Sequence, residues 1–236
     1  MSPEYVFSPP PVVSLPIAGS QQRFPVRRIY CVARNYAAHA QEMGAKGRPE
    51  APFFFGKPRD ALVPGGGAVA YPPETTDLHH EVELVVALGR TAREIHAADA
   101  LSCIYGYAVG LDLTRRDLQR KAKERAEPWD AAKGFDASAP ASPVHPAREI
   151  GHPARGAITL HVNGSLRQAG DLADQIWSAP DLIAHLSRLV RLLPGDLIFT
   201  GTPAGVGPVQ VGDVLHARVA GMDDLQVQIA EPVDAG

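Results

Sequence analysis

The chain has 236 residues, of which 45% are hydrophobic and 21% are charged. These fractions are near globular averages and exclude a wholly disordered chain. The 23 Lys and Arg residues against 26 Asp and Glu give a net charge of −3, so no global basic field favours nucleic acid or anionic lipid. The composition therefore predicts a small-molecule partner, with no nucleic acid and no membrane.

The cysteine content and the N-terminal residues favour a cytoplasmic protein. Cys31 and Cys103 are too few for a disulfide framework. Residues 1–16 lack the basic and apolar regions of a signal peptide, and no run of about 18 apolar residues could span a membrane. The sequence therefore predicts a reducing compartment.

Many turns and short strands, rather than a helical bundle, are predicted for the chain because Gly and Pro number 22 each. Closely spaced prolines in residues 1–25 indicate an extended arm that ends in a short edge element. Short apolar runs follow at 29–33 and 52–55, with a short helix or ordered loop at 35–43. Residues 58–76 are predicted to be mostly loop.

Two core strands and one charged helix are predicted in the middle of the chain. Residues 79–88 and 104–111 become continuously apolar, as expected for strands that enter a core. Thr114 and Asp117 resemble a capping box, which predicts a helix that continues to about Ala126.

The C-terminal half is predicted to be rich in strands. Asn163-Gly164, between alternating flanks, indicates a hairpin over 158–168. Apolar residues at helical spacing predict a helix over 182–193, followed by strands. The predicted strands are 197–200, 214–219 and 225–229. The fold class is therefore α+β, β-rich and mainly antiparallel, with an arm at 1–25 and one domain over 26–236.

Three carboxylates are candidates for a metal site. Glu81 and Glu83, two residues apart on a strand, project from one face. A solvated strand face is the ordinary interpretation, but the apolar run after Glu83 carries the strand into the core, where carboxylates need a cation or hydrogen bonds. Asp112 follows the next apolar run, although a loop or cap role is the more common one for an aspartate at such a position. Carboxylates from two adjacent strands suit Mg²⁺ or Mn²⁺.

Two further groups are candidates for catalysis. His39 and Glu42 share a face in a helical turn, so the carboxylate can orient the imidazole, although such pairs are also common on surfaces. Gly44, Gly47 and Pro49 indicate a segment that closes over a site. Lys133 lies between apolar groups as a potential anion donor, or in a salt bridge to a neighbouring aspartate.

Two segments could contact a substrate. The glycine-rich residues 200–207 follow a strand and offer backbone N–H groups to a carboxylate or oxyanion. Residues 115–125 hold six Lys or Arg against two acidic residues, a pattern that is usually a solvated face. Arg116 and Gln119, on its first turns, could reach a substrate.

Taken together, several segments are recognisable in one order along the chain. They are Arg34-Asn35-Tyr36 with His39 and Glu42, then 54–58, 77–84, Leu111-Asp112 with 116–119, 132–135 and 199–203. From about Val26 to Ala230 the sequence resembles the fumarylacetoacetate hydrolase family. Residues 52–58 and 129–140 are most similar to the fumarylpyruvate and acylpyruvate hydrolases within it.

The resemblance implies a mixed β-roll, a homodimer, and Mg²⁺ or Mn²⁺ held by Glu81, Glu83 and Asp112. It also implies that His39 with Glu42 activates water and that Lys133 stabilises negative charge. The substrate contacts that we carry over from the family's motifs are Arg34, Asn35, Tyr36, Lys57, Arg116, Gln119 and Thr202.

The implied activity is hydrolytic cleavage of a carbon–carbon bond in a 2,4-dioxo acid, as in aromatic-compound degradation. Fumarylpyruvate or another acylpyruvate would yield pyruvate and a carboxylic acid. Oxaloacetate decarboxylation and oxo-acid isomerisation or hydration are alternatives on the same site. A metal-stabilised binding protein is the non-enzymatic alternative, and nucleic-acid binding through residues 115–125 is a remote one.

Overall fold

The computed structural model describes residues 4–42 and 50–232, which form many short strands and a few short helices. The strands are β1 (Ser14–Pro16), β2 (Arg23–Pro25), β3 (Arg28–Ala33), β4 (Phe53–Lys57), β5 (Leu62–Pro64), β6 (Gly67–Ala70), β7 (Leu78–His80), β8 (Val82–Leu88), β9 (Ile104–Leu111), β10 (Thr114–Arg115), β11 (Ala139–Ala141), β12 (His145–Pro146), β13 (Ala157–Val162), β14 (Ser165–Asp171), β15 (Asp196–Phe199), β16 (Gly207–Val209), β17 (Val214–Val219) and β18 (Leu225–Ala230). The helices are α1 (Ala37–Glu42), α2 (Ala97–Ala100), α3 (Arg116–Glu124), α4 (Asp130–Lys133), α5 (Ala147–Ile150) and α6 (Ala179–Leu189). The predicted β-rich α+β class is confirmed.

Two large sheets make up a mixed β-roll. The first has the order β4-β3-β15-β8-β9-β11-β5, with β12 also pairing with β9, and the second has the order β14-β13-β17-β18-β6. Most neighbours are antiparallel, but β3 with β15, β5 with β11 and β6 with β18 are parallel. A small third sheet, β10-β7-β16, lies beside the start of β8.

Strand β8 separates two hydrophobic cores, because successive side chains point to opposite faces of a strand. Leu84 and Val86 belong to the larger core, which also contains residues of β13 and β17. Val85 and Ala87 belong to the smaller core, together with Leu15 of the N-terminal segment. Glu83 has the same parity as Val85, so its carboxylate lies at the end of the smaller core.

The N-terminal segment is more ordered than the predicted extended arm. Strands β1 and β2 form an antiparallel hairpin, and Ile17 pairs with Val144. Leu15 and Phe24 are buried in the smaller core. The prediction of a short edge element before residue 26 is confirmed, and it is one of two paired strands.

Several local predictions are confirmed. The Asn163-Gly164 turn joins β13 to β14, and both residues adopt positive φ (51° and 78°), as a type I′ turn requires. Helix α6 overlaps the predicted segment, but it begins three residues earlier, at Ala179, and ends at Leu189 because Val190 is extended. Helix α1 likewise lies inside the predicted 35–43 segment.

The segment 58–76 is mostly outside strands, as predicted, but it contains two short strands that were not predicted, and the single strand predicted over 79–88 is divided in two. Strands β5 and β6 form inside the first segment because distant parallel partners, β11 and β18, complete their hydrogen bonds. The strand is interrupted at Glu81, so that β7 joins the small sheet and β8 joins the large one. Local alternation does not reveal such a change of partner.

The predicted capping box at the start of α3 is also wrong. Thr114 lies in β10, and its hydroxyl donates to the carbonyl of Asp112 at 3.0 Å. The carboxylate of Asp117 instead accepts from the Thr75 hydroxyl at 2.6 Å. The helix therefore begins at Arg116 without a side-chain cap. No helix within the described ranges has the length and apolar character needed to cross a bilayer.

Candidate active site

The ends of five strands meet at one edge of the large sheet. Strands β3 and β15 are parallel, so both end there, at Ala33 and Phe199. Strands β4 and β8 are antiparallel to these two and begin there, and β9, antiparallel to β8, ends there at Leu111. The residues that follow or open these strands are therefore brought together from five separate stretches of sequence.

Three buried carboxylates form the centre of this edge. Glu81 and Glu83 flank the start of β8, and Asp112 follows β9. One carboxylate oxygen from each lies within 4.8 Å of the others. All three residues are at most 5% exposed. The structure thus brings together the three residues that were predicted as metal ligands.

Two buried lysines pair with this carboxylate cluster (Glu81, Glu83 and Asp112). Lys133 Nζ donates to Glu81 Oε2 at 2.8 Å and to Asp112 Oδ2 at 2.6 Å. Lys57 Nζ lies 2.8 Å from Asp112 Oδ1 and also donates to the carbonyl of Lys133. Burial opposes the charged form of Lys133, but Asp112 and Glu81 outweigh it and hold the pKa of this lysine above its ordinary value.

Glu81 and Glu83 have opposite electrostatic environments. Burial works against ionisation of Glu81, but Lys133 and Arg116 outweigh it and hold its pKa well below the ordinary range. Burial, with repulsion from Asp112 and Glu81, raises the pKa of Glu83 well above that range. The N–H of Gly201 donates to Glu83 Oε2 at 2.7 Å, and Glu83 pairs with no cation among residues 4–42 and 50–232.

The donor set of the carboxylate cluster fits a hard divalent cation. It offers three buried carboxylates at the adjacent ends of β8 and β9, and Glu83 forms no ion pair in the described part of the chain. Mg²⁺ and Mn²⁺ prefer such oxygen ligands, and a cation would relieve the repulsion among the carboxylates. No cysteine or histidine joins the cluster among the described residues.

Arg116 connects the carboxylate cluster to helix α3. Its guanidinium donates to Glu81 Oε1 and, at 2.6 Å, to Gln119 Oε1. Its Nε lies 3.3 Å from His79 Nδ1, and the other ring nitrogen of His79 is 2.8 Å from Asp77. Arg116 and Gln119 are thereby fixed on the face of α3 that borders the site.

His39 and Glu42 lie on helix α1 beside the carboxylate cluster. His39 is buried and its Nδ1 is 3.5 Å from Glu42 Oε2, whereas Glu42 is exposed and also accepts the N–H of Gly205 at 3.1 Å. Burial is the largest influence on His39 and lowers its pKa. The predicted closing segment with Gly44, Gly47 and Pro49 lies outside the described residues.

A cleft opens over these groups. Its lining is mostly polar and charged. The lining residues are Val32, Ala33, Arg34, His39, Phe55, Glu81, Glu83, Arg116, Gln119, Lys123, Trp129, Lys133 and Thr202. Of the predicted substrate contacts, Arg34, Arg116, Gln119 and Thr202 therefore border one space.

Three other predicted contacts do not line this cleft. The Asn35 amide donates to the carbonyls of Trp177 and Thr200 and accepts the N–H of Trp177, so it joins two loops to β3. Tyr36 is buried and its backbone pairs with Gln175. Lys57 lies behind Asp112. These side chains shape the site from outside the cleft.

Gln168 is a residue of the site that sequence reasoning missed. Its Oε1 accepts from the Val82 N–H at 3.1 Å and lies 2.9 Å from His80 Nδ1. Its Nε2 donates to Thr202 Oγ1 at 2.7 Å and to the carbonyl of Pro203. It therefore connects the residues on either side of Glu81, between β7 and β8, to the loop after β15. Its burial in β14 distinguishes it from other strand glutamines, and no sequence pattern indicates that burial.

Comparisons with known proteins agree with this geometry. The family model described as fumarylacetoacetate (FAA) hydrolase C-terminal matches residues 28–230. Among solved structures, a fumarylpyruvate hydrolase from Pseudomonas aeruginosa in complex with Mn²⁺ and pyruvate has 48% identity and a TM-score of 0.94, over 97% of this chain and 100% of that one.

Curated relatives include proteins with a different named activity. An oxaloacetate tautomerase of Escherichia coli (strain K12) is 44% identical over 204 residues, which is 86% of this chain and 93% of the relative. A mitochondrial oxaloacetate decarboxylase of Dictyostelium discoideum is 40% identical over 205 residues, 86% of this chain and 94% of the relative. Hydrolase, tautomerase and decarboxylase names thus all occur among similar proteins.

Proposed function

Because this chain belongs to the fumarylacetoacetate hydrolase family, we propose that it is a metal-dependent hydrolase of 2,4-dioxo acids. Its substrate is fumarylpyruvate or another acylpyruvate, and its products are pyruvate and a carboxylic acid. The observation that carries the proposal is the carboxylate cluster beside Lys133 and His39 in one cleft. The similar P. aeruginosa hydrolase, whose complex holds Mn²⁺ and pyruvate, supports this substrate class.

Glu81, Glu83 and Asp112 are the residues that would hold Mg²⁺ or Mn²⁺. When bound, the ion supplies Lewis acidity for the 2-oxo acid end of the substrate. Lys133 and Arg116 keep Glu81 ionised, and the Gly201 N–H orients Glu83.

His39 is the proton acceptor for water. Its lowered pKa leaves the imidazole neutral at neutral pH, so one ring nitrogen is free to take a proton. Glu42 lies 3.5 Å from Nδ1 and stabilises the imidazolium that forms. The water oxygen then adds to the C4 carbonyl of the substrate.

Lys133 stabilises the negative charge that develops at the attacked carbonyl oxygen. Two of its three N–H donors are bound to Glu81 and Asp112, which leaves one for the substrate. When the C3–C4 bond breaks, its electron pair remains on C3 as the pyruvate enolate, which takes up the proton held by His39 to give pyruvate, and the other fragment is the carboxylic acid. Arg116, Gln119 and Thr202 border the cleft as orienting groups.

Turnover assays of the purified protein with Mg²⁺ or Mn²⁺ test this proposal. We expect consumption of fumarylpyruvate or acetylpyruvate with two product fragments by mass, and loss of turnover on chelation. His39→Ala should lower kcat by about 100-fold or more, the usual contribution of a general base. His96→Ala, an exposed histidine outside the cleft, is the matched control. Full activity of metal-free protein would refute the proposal.

Conversion of oxaloacetate is the second candidate, favoured by the names of the E. coli and Dictyostelium relatives. A decarboxylase needs no attacking water, so His39→Ala should reduce hydrolysis far more than decarboxylation. A tautomerase or other isomerase would return one product of unchanged mass. If the protein were instead a metal-stabilised binding protein, Glu83→Ala would lower its melting temperature, and the parent protein would consume none of these acids.

A further inference from the structure

Two cations at the rim of the cleft have no acidic partner in the described part of the chain. Arg34 and Lys123 both line the cleft, and neither forms an ion pair or side-chain hydrogen bond among residues 4–42 and 50–232. The other cations of the cleft, Arg116 and Lys133, are bound to the carboxylate cluster. The rim therefore carries positive charge that is available to an anion.

Helix α3 places Lys123 on the face that borders the cleft. Arg116, Gln119 and Lys123 are at positions i, i+3 and i+7, which share one face of a helix. Seven residues correspond to about 10 Å along the helix axis. A substrate with its oxo-acid end at the carboxylate cluster would therefore extend along this face toward Lys123.

The backbone conformation of Arg34 also indicates a ligand-binding position. Arg34 adopts a left-handed conformation with φ of 57°, which is uncommon for a residue with a side chain. This conformation follows the end of β3 and places Arg34 in the cleft lining. Strain of this kind is concentrated at ligand-binding positions.

An aromatic wall accompanies the two cations. The Lys123 ammonium lies 5.4 Å from the ring centroid of Trp129, which also packs at tilted angles against Phe53 and Phe55. Partial desolvation, with repulsion from Arg116 and Arg34, lowers the pKa of Lys123 to about 8. An anion beside Lys123 would offset that repulsion, so the rim favours a ligand with a negative distal group.

We propose that Arg34 and Lys123 form a distal-carboxylate subsite that selects dicarboxylate substrates. The inference rests on the proposed function and deepens it, because it assigns the acyl group. The acyl part of the substrate lies against Trp129, and its terminal carboxylate lies between the two cations. Fumarylpyruvate has such a carboxylate, whereas acetylpyruvate has the same dioxo-acid end without one.

The test compares these two acids in the Mn²⁺-loaded enzyme. We expect Lys123→Met to lower the ratio of kcat/KM for fumarylpyruvate to kcat/KM for acetylpyruvate by about tenfold, the value of one charge-assisted contact. Lys123→Arg should retain most of the ratio, and Arg34→Met should lower it further. Lys121→Met, an exposed lysine elsewhere on α3, is the matched control and should leave the ratio at the parent value.

A binding measurement separates this inference from the proposed function. Calorimetry in a His39→Ala background measures the Kd of fumarylpyruvate without turnover, and Lys123→Met should raise it about tenfold. An equal ratio in parent and Lys123→Met, or an unchanged Kd, would overturn the subsite. If the parent cleaved neither acid, the proposed function would fail, and calorimetry on the parent and Lys123→Met would still decide the subsite.

Discussion

His39 is held neutral by its surroundings rather than by a single partner. Burial is the largest influence and lowers its pKa, and Arg116 acts in the same direction. Glu81 and Glu42 act in the opposite direction, because their carboxylates stabilise the imidazolium. A neutral imidazole beside a carboxylate is suited to accept a proton and then to hold it.

The pH dependence of the reaction should reflect this balance. The kcat/KM of the Mn²⁺-loaded enzyme should fall on acidification through a pKa below 6.5, the ordinary value for histidine. Glu42→Gln keeps an oxygen that can accept the Gly205 N–H but removes the charge, so the acidic limb should move to still lower pH. A pH–rate profile measures both effects, with the exposed Glu149→Gln as control. Movement of the limb to higher pH would contradict the assigned role of Glu42.

Residue-level prediction succeeded where local geometry was sufficient. Glu81, Glu83 and Asp112 lie together as predicted from a spacing of two and a strand end, although Glu81 occupies the interruption between β7 and β8 and not a strand position. The sequence could not show that Arg34 lines the cleft and Asn35 does not, because adjacent residues of one motif can point in different directions. Arg34 lines the cleft, whereas the amide of Asn35 is fully used by backbone groups.

The loop after β15 is the element on which the site most depends. Gly201 has φ of 96°, and its N–H holds Glu83. A Cβ at Gly201 would lie 2.6 Å from Asn35 Cβ, which is itself fixed by three hydrogen bonds. Gly205, in the same loop, holds Glu42. The loop therefore connects the carboxylate cluster with the His39 pair.

Gly201→Ala should lower the free energy of unfolding by more than the strain of a positive φ alone would. Gly212 also has a positive φ, 92°, but a Cβ there meets nothing within 4 Å, so Gly212→Ala is the matched control. We expect Gly212→Ala to cost about 1 kcal/mol of unfolding free energy and Gly201→Ala about 2 kcal/mol more, from steric overlap. Gly201→Ala should also weaken Mn²⁺ binding. Denaturant unfolding and metal titration measure these effects, and equal effects of the two variants would contradict the argument.

Elements were predicted well where their signal is local and poorly where a distant partner decides. The 158–168 hairpin depends on two turn residues, and α6 on its own apolar spacing. Strands β5 and β6 depend on parallel partners far along the chain, so a loop was predicted instead. The same long-range pairing divides the predicted strand at Glu81 between two sheets.

At the scale of the whole molecule, the large sheet has a core on each face, and the N-terminal hairpin closes the smaller one. Leu15 and Phe24 of this hairpin pack with residues of β3, β8 and β15. The same core ends at the carboxylate cluster, so the hairpin supports the strands that position Glu83. The separation of an arm at 1–25 from a domain at 26–236 stays a prediction, as does the homodimer that the resemblance implies.

Truncating Phe24 tests how much the packing of the N-terminal hairpin contributes to the stability of the fold. Phe24 is 5% exposed and its ring lies 5.3 Å from that of Tyr105, so Phe24→Ala should leave a cavity in the smaller core. We expect a loss of about 3 kcal/mol of unfolding free energy and a fall in Tm on the order of 10 °C. Phe7→Ala, which alters an exposed phenylalanine of the same arm, should leave Tm within about 1 °C because it removes no buried contact. Thermal unfolding of both variants decides the question. Equal Tm values for Phe24→Ala and the parent would show that residues 26–236 are stable without the packing of Phe24.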